Sequence, residues 1–89
     1  MSNVFDGLKE KLSQNDNWPR VYLFKFIIPN DNMKLAQAEA LFGKEAQVTI
    51  NQSRTGKYLS ISAKELMLSA DEIIDRYLKA SEIEGMISL

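Results

Sequence analysis

The chain has 89 residues, with 11 lysines and arginines against 12 aspartates and glutamates, for a net charge of −1 at pH 7. That length allows one domain with a modest core, and the near-neutral balance gives no general attraction to nucleic acid or to an anionic membrane. There is no cysteine and no histidine, which excludes disulfides, thiolate nucleophiles and cysteine-based metal sites and removes the commonest general base and transition-metal ligand.

The first residues, MSNVFDGLKEKL, lack the basic-then-apolar order of a signal peptide. No apolar run approaches the roughly 18 residues that span a bilayer. A cytoplasmic protein without a membrane partner is the expectation. Val4, Phe5, Leu8 and Leu12 fall within an arc of about 100° on a helical projection, so Val4 to Leu12 predicts a short amphipathic helix. Gly7 weakens such a helix by about 1 kcal/mol relative to alanine, which makes it depend on docking. Residues 13–17 form a polar linker without periodicity. Residues 1–17 are therefore read as an N-terminal helix and linker, and residues 18–89 as the domain.

Trp18-Pro19 leads into an extended segment, because the residue before a proline disfavours helix. Arg20 to Pro29, RVYLFKFIIP, is the strongest strand signal in the chain. Tyr22, Phe24, Phe26 and Ile28 fall on one face; Val21, Leu23, Lys25 and Ile27 fall on the other. Two apolar faces predict a central strand, with the uncharged aromatic face against helices. Pro29 to Asn32 then offers side-chain caps to a helix from about Met33 to Phe42, closed by Gly43. Gln47 to Ser53 alternates as a strand, with Val48 and Ile50 inward and Thr49 and Asn51 outward. Arg54-Thr55-Gly56-Lys57 is a hairpin loop in which Gly56 supplies a positive φ. Tyr58 to about Leu66 returns, with Leu59, Ile61 and Ala63 on one side and Ser60, Ser62 and Lys64 on the other.

Ser69-Ala70-Asp71-Glu72 has the form of a capping box. It opens a helix to about Ala80 whose apolar stripe is Ile73, Ile74, Tyr77 and Leu78. Glu72–Arg76 and Asp75–Lys79 have the spacing of favourable i,i+4 pairs on its solvent side. Gly85 breaks the chain before a last short strand from Met86 to Leu89. The order is βαββαβ, the ferredoxin-like α+β pattern: a four-stranded antiparallel sheet of order 4-1-3-2 with both helices on one face, preceded by the N-terminal helix.

No catalytic constellation accompanies this fold, and the expectation is a non-enzymatic protein without a cofactor. Asp71, Glu72 and Asp75 cluster, but each has a structural use in capping or pairing; Glu82 and Glu84 read as solvated. Serines and threonines have no histidine to activate them, and no metal site is assigned. Arg54 and Lys57, with Lys64 further along the strand, offer a small basic patch to an anionic ligand, although a solvated turn is the commoner reading of such charges. Trp18 reads as packing. RNA recognition on a sheet of this kind needs several aromatics on the open face. Serines occupy those positions here, which argues against nucleic acid.

Trp18-Pro19-x-x-Tyr22-x-Phe24-Lys25, followed by Ser53-x-x-Gly56-x-Tyr58-x-Ser60-x-Ser62, resembles the YbeD-like family of small bacterial proteins of unknown function, over about residues 18–89. The resemblance implies a βαββαβ fold similar to ACT regulatory domains, which bind amino acids and other small effectors. It transfers no catalytic residue. Pro29-Asn30-Asp31-Asn32 stands where ACT domains carry a glycine-containing turn. The function expected is therefore an ACT-like regulatory or interaction module, the alternative being an adaptor for a protein partner alone, with a homodimer as one arrangement.

The surface on which such a module would work is the sheet face turned away from the helices. Val21, Leu23 and Ile27 form an apolar stripe there, bordered by Ser60, Ser62, Thr49 and Asn51. Two covers suit it: the N-terminal helix, whose apolar arc matches the stripe, or a second copy packed sheet to sheet. The helix is the favoured one.

Overall fold

The computed structural model of the protein describes Gly7 and residues 18–89. Gly7 apart, the expected helix over Val4–Leu12 and its linker lie outside the described residues. Six elements follow in order: β1 (Arg20–Pro29), α1 (Asn32–Glu39), β2 (Gln47–Gln52), β3 (Tyr58–Met67), α2 (Ala70–Ala80) and β4 (Ile87–Ser88). The strands form one antiparallel sheet in the order β2-β3-β1-β4. Counted from the β4 edge that order reads 4-1-3-2. All ten residues of β1 pair with β3, and Phe26 and Ile27 also pair with β4. β1 is thus interior, as its two apolar faces demand, and the architecture is a broadly ferredoxin-like α+β domain.

Both helices cover the same sheet face. Phe24, Phe26, Ala63 and Met67 pack with Ala70, Ile73, Tyr77 and Ala80 of α2. Ile28, Leu59 and Ile61 pack with Ala38 of α1 and with Ile83 beyond α2. The Phe24, Phe26, Phe42 and Tyr77 rings lie 5.5–6.1 Å apart in stacked, tilted and edge-on pairs, geometries that add to the burial of their area. Val48 and Ile50 stand beside Ala63 and Ile61 in register, so they point toward the helices as expected. Each is nevertheless 38% exposed, because the helices pack over β1 and β3 and leave the β2 edge uncovered.

The helix boundaries have local causes. The Asp31 side chain accepts the Lys34 N–H at 3.0 Å and caps α1. The expected run to Phe42 is corrected: α1 ends at Glu39, and the Leu41 and Phe42 N–H groups turn back to Ala38 and Glu39 carbonyls three residues earlier. That tightening brings Leu41 and Phe42 onto the core. Gly43 accordingly is not a left-handed cap; positive φ among the described glycines occurs at Gly56 and Gly85. At the start of α2, Ser69 Oγ accepts the Glu72 N–H at 3.2 Å, the forward half of the box. Gly85, at φ +80°, passes so close to Pro29 that an added Cβ would lie 2.9 Å from its Cγ. The last strand is Ile87–Ser88, shorter than expected, although the Leu89 N–H still donates to the Lys25 carbonyl at 2.9 Å.

Candidate functional site

Strand alternation places Val21, Leu23, Lys25 and Ile27 on the face opposite the helices. Val21 is 63% and Leu23 42% exposed; Ile27 is half-buried. Register assembles the rest. Ile27 lies between Ser60 and Ile87, Lys25 beside Ser62, Leu23 beside Lys64, and Val21 beside Leu66. Ser60 and Ser62 have Asn51 and Thr49 on their other side. The five residues Val21, Leu23, Ile27, Ser60 and Ser62 therefore share one surface. The structure adds Tyr58, Leu66 and Ile87, all exposed, as further apolar members. Continuing the two-residue period of β3 to both its ends would have identified Tyr58 and Leu66; Ile87 required the pairing of β4.

The charges on this face are of one sign. At its strand positions Lys25 and Lys64 are the ionised side chains, with no carboxylate among them. Toward the β2–β3 hairpin the face sinks into a hollow of about 260 Å³ bordered by Ile27, Asn51, Gln52, Ser53, Tyr58 and Ser60. Its floor is apolar, and amide and hydroxyl groups stand at its rim.

Arg54 and Lys57 sit at the hairpin tip. The turn closes through the Gly56 N–H to the Ser53 carbonyl at 2.9 Å and the Ser53 N–H to the Tyr58 carbonyl at 2.8 Å. Ser53 Oγ also accepts the Tyr58 N–H at 3.0 Å, and Gly56 takes φ +76°. The serine–glycine–tyrosine pattern is thus a turn-building device. Asn30 stitches the tip to the end of β1: its N–H donates to the Lys57 carbonyl and its side-chain amide to the Gly56 carbonyl, at 2.9 and 2.8 Å. Lys64 is six residues beyond Tyr58 on β3, roughly 20 Å along the strand. It joins Leu23 and Gln47, so the three cations do not form one patch.

On the covered face the sequence missed a polar cluster. Arg76 reaches Glu65, not Glu72: its Nη1 lies 2.7 Å from Oε1 and its Nη2 3.2 Å from Oε2. The planar fork meets the carboxylate on both sides, with the guanidinium about 5.5 Å from the Phe24 and Phe42 rings; this geometry outcompetes an exposed helix pair. Gly43 N–H donates to the same carboxylate at 3.3 Å, and a Cβ at Gly43 would press on it at 3.3 Å. The Arg76 hydrogen bonds hold the Glu65 carboxyl below the usual glutamate range against the opposing effect of burial. Alongside, the Tyr22 and Tyr77 hydroxyls lie 2.8 Å apart, and burial pushes the Tyr77 phenol well above its usual range. This cluster joins β1, β3, α2 and the turn after α1, and Glu65 also borders surface hollows of about 280 and 370 Å³.

The remaining candidates are structural. Asp75 and Lys79 pair at 3.0 Å on the exposed side of α2. Trp18 packs on the core edge with the Arg20 guanidinium 4.6 Å from its ring centre. Among the described residues no three Asp or Glu side chains gather as metal ligands, and no helix is long and apolar enough to cross a membrane. No family model, no curated protein and no solved structure matches the chain.

Proposed function

We propose that this protein is a non-enzymatic, ACT-like regulatory or interaction module of the cytoplasm that works through the open face of its sheet. The observation that supports this reading is the exposed apolar group Val21, Leu23, Leu66 and Ile87, with Lys25 and Lys64 set among it. Exposed apolar surface on a small domain marks an interaction site; here it lies at both ends of the face, Val21, Leu23 and Leu66 at one and Ile27 and Ile87 at the other. Its charges suit a partner surface that is apolar at its centre and acidic at its border. The chain's own Val4–Leu12, whose apolar residues match the stripe in sequence, is the competing cover.

Purified partner captured by the wild-type chain and lost on Leu23→Asp supports the reading. Equal capture by both, at equal folded content, overturns the assignment of this face. A second reading rests on the hollow at Ile27 and Tyr58: a small effector with an apolar body and an anionic group directed toward Arg54 or Lys57. A thermal-shift screen of amino acids and nucleotides checks it, since a ligand at 100 times its Kd stabilises by about 2.7 kcal/mol. No shift with any of them removes those two classes.

A further inference from the structure

The hollow beside the β2–β3 hairpin is bordered wholly by described residues: Ile27, Asn51, Gln52, Ser53, Tyr58 and Ser60. At about 260 Å³ it lies just below the roughly 300 Å³ at which pockets for larger ligands begin. It therefore suits one ring or one branched chain. The half-buried Ile27 and the exposed Tyr58 ring supply apolar surface on which such a group can pack. Asn51 and Ser60 contribute an amide and a hydroxyl, each able to donate or accept. Ser53 Oγ accepts the Tyr58 N–H at 3.0 Å and keeps its own proton to donate. Neutral groups of this kind serve a ligand of either sign, so the surrounding charges decide which is taken.

Those charges are of one sign. No carboxylate borders the hollow. Lys25 stands two residues from Ile27 on the same face, roughly 7 Å along β1. Arg54 follows Ser53 and Lys57 precedes Tyr58 in the hairpin, and all three cations are exposed. The carboxylates at this end of the sheet belong elsewhere: Asp31 caps α1, and Glu84 lies in the turn before β4, within the Met86 N–H to Ile83 carbonyl bond. Resting on the reading of this hollow as an effector site, we propose that it selects small apolar carboxylates without an amine, such as aryl-alkanoates and branched 2-oxo acids, over the corresponding amino acids. The carboxylate gains charge-assisted hydrogen bonds at the cationic rim. An amino acid carries an ammonium beside that carboxylate. The same placement then sets a cation among Lys25, Arg54 and Lys57 with no anion to meet it, the kind of mismatch by which a site rejects a near relative of its ligand. Because the cations are exposed, the preference weakens with added salt.

Titrating the full chain with 3-phenylpropanoate, phenylalanine and phenethylamine, followed by amide resonances, tests this, because the three share one apolar body and differ only in their charged groups. 3-Phenylpropanoate should move the Ile27, Asn51, Tyr58 and Ser60 resonances and bind about tenfold or more tighter than phenylalanine. Phenethylamine should move none of them. The double variant Arg54→Gln, Lys57→Gln, which leaves the backbone bonds of the turn in place, should bring 3-phenylpropanoate and phenylalanine toward equal affinity. Ser60→Leu, which fills the hollow, should abolish binding with an unchanged circular dichroism spectrum. Equal affinity of the wild type for 3-phenylpropanoate and phenylalanine overturns the preference and leaves the effector site standing. No shift at Ile27 or Tyr58 with any of the three overturns the site and the preference together, as does binding that survives Ser60→Leu.

Discussion

The two sides of β1 differ in what the fold requires of them. Phe24, Phe26 and Ile28 are at most 1% exposed beneath the helices, whereas Val21 and Leu23, one residue away on the same backbone, are largely in water. The covered side is closed by rings, by α2 and by the Glu65–Arg76 fork. The open side is apolar without being buried by any described residue. Apolarity on the first side is accounted for by folding. On the second, no described residue buries it, and packing of the described domain does not account for it.

Substitutions break or sharpen this contrast, beginning with the largest effect. Phe26→Ala should destabilise by about 3–5 kcal/mol, enough to unfold a domain of this size; an unchanged melting curve would contradict its burial. Glu65→Gln should cost about 2–3 kcal/mol, between the values for exposed and fully buried pairs, since it leaves the Arg76 guanidinium half-partnered beneath the surface. Its pH dependence has a definite sign. The Glu65 pKa is depressed on folding, so the carboxylate stabilises fully above the usual glutamate value of about 4.3 and loses that effect as pH falls below it. Chemical denaturation of wild type and variant should therefore differ by a constant above about pH 5.5 and converge in acid. A difference that grows in acid would mean the pair is absent in solution.

Ser69→Ala should cost about 1 kcal/mol by removing the cap of the covering helix. Leu23→Ser should be the mildest, within about 0.5 kcal/mol. A loss near that of Phe26→Ala would show the open face to be covered in solution. Deleting residues 1–13 is the companion measurement: a lower melting temperature with new self-association would identify the N-terminal segment as the cover.

Periodicity carried most of this far. The two-faced β1, the alternation of β3 and the Ser69 cap are each fixed by residues within one turn or one strand of each other, and such patterns are legible without a structure. The same alternation placed Val21, Leu23, Ile27, Ser60 and Ser62 together before any pairing was known. What escaped was decided at a distance. Arg76 has Glu72 within reach four residues away, but sheet register brings Glu65 to it with both oxygens and two aromatic rings. Gly43 looks like a helix stop, yet its amide serves a carboxylate 22 residues downstream. Lys64 seemed to belong with Arg54 and Lys57 because it follows them on one strand; an extended backbone carries it far from them in a few residues.

The Asn30 stitch has a consequence for recognition. Two hydrogen bonds from one residue hold the Gly56–Lys57 backbone against the end of β1, and Ser53 holds the turn from within. The loop that carries Arg54 and Lys57 is thereby preorganised. A ligand or partner arriving at that end of the sheet would find the loop backbone already in place, with the exposed Arg54 and Lys57 side chains the part left to order on association. Selectivity there should follow the shape of a fixed rim, and Asn30→Ala should weaken any such binding through the loop's mobility while removing no group that touches the bound molecule.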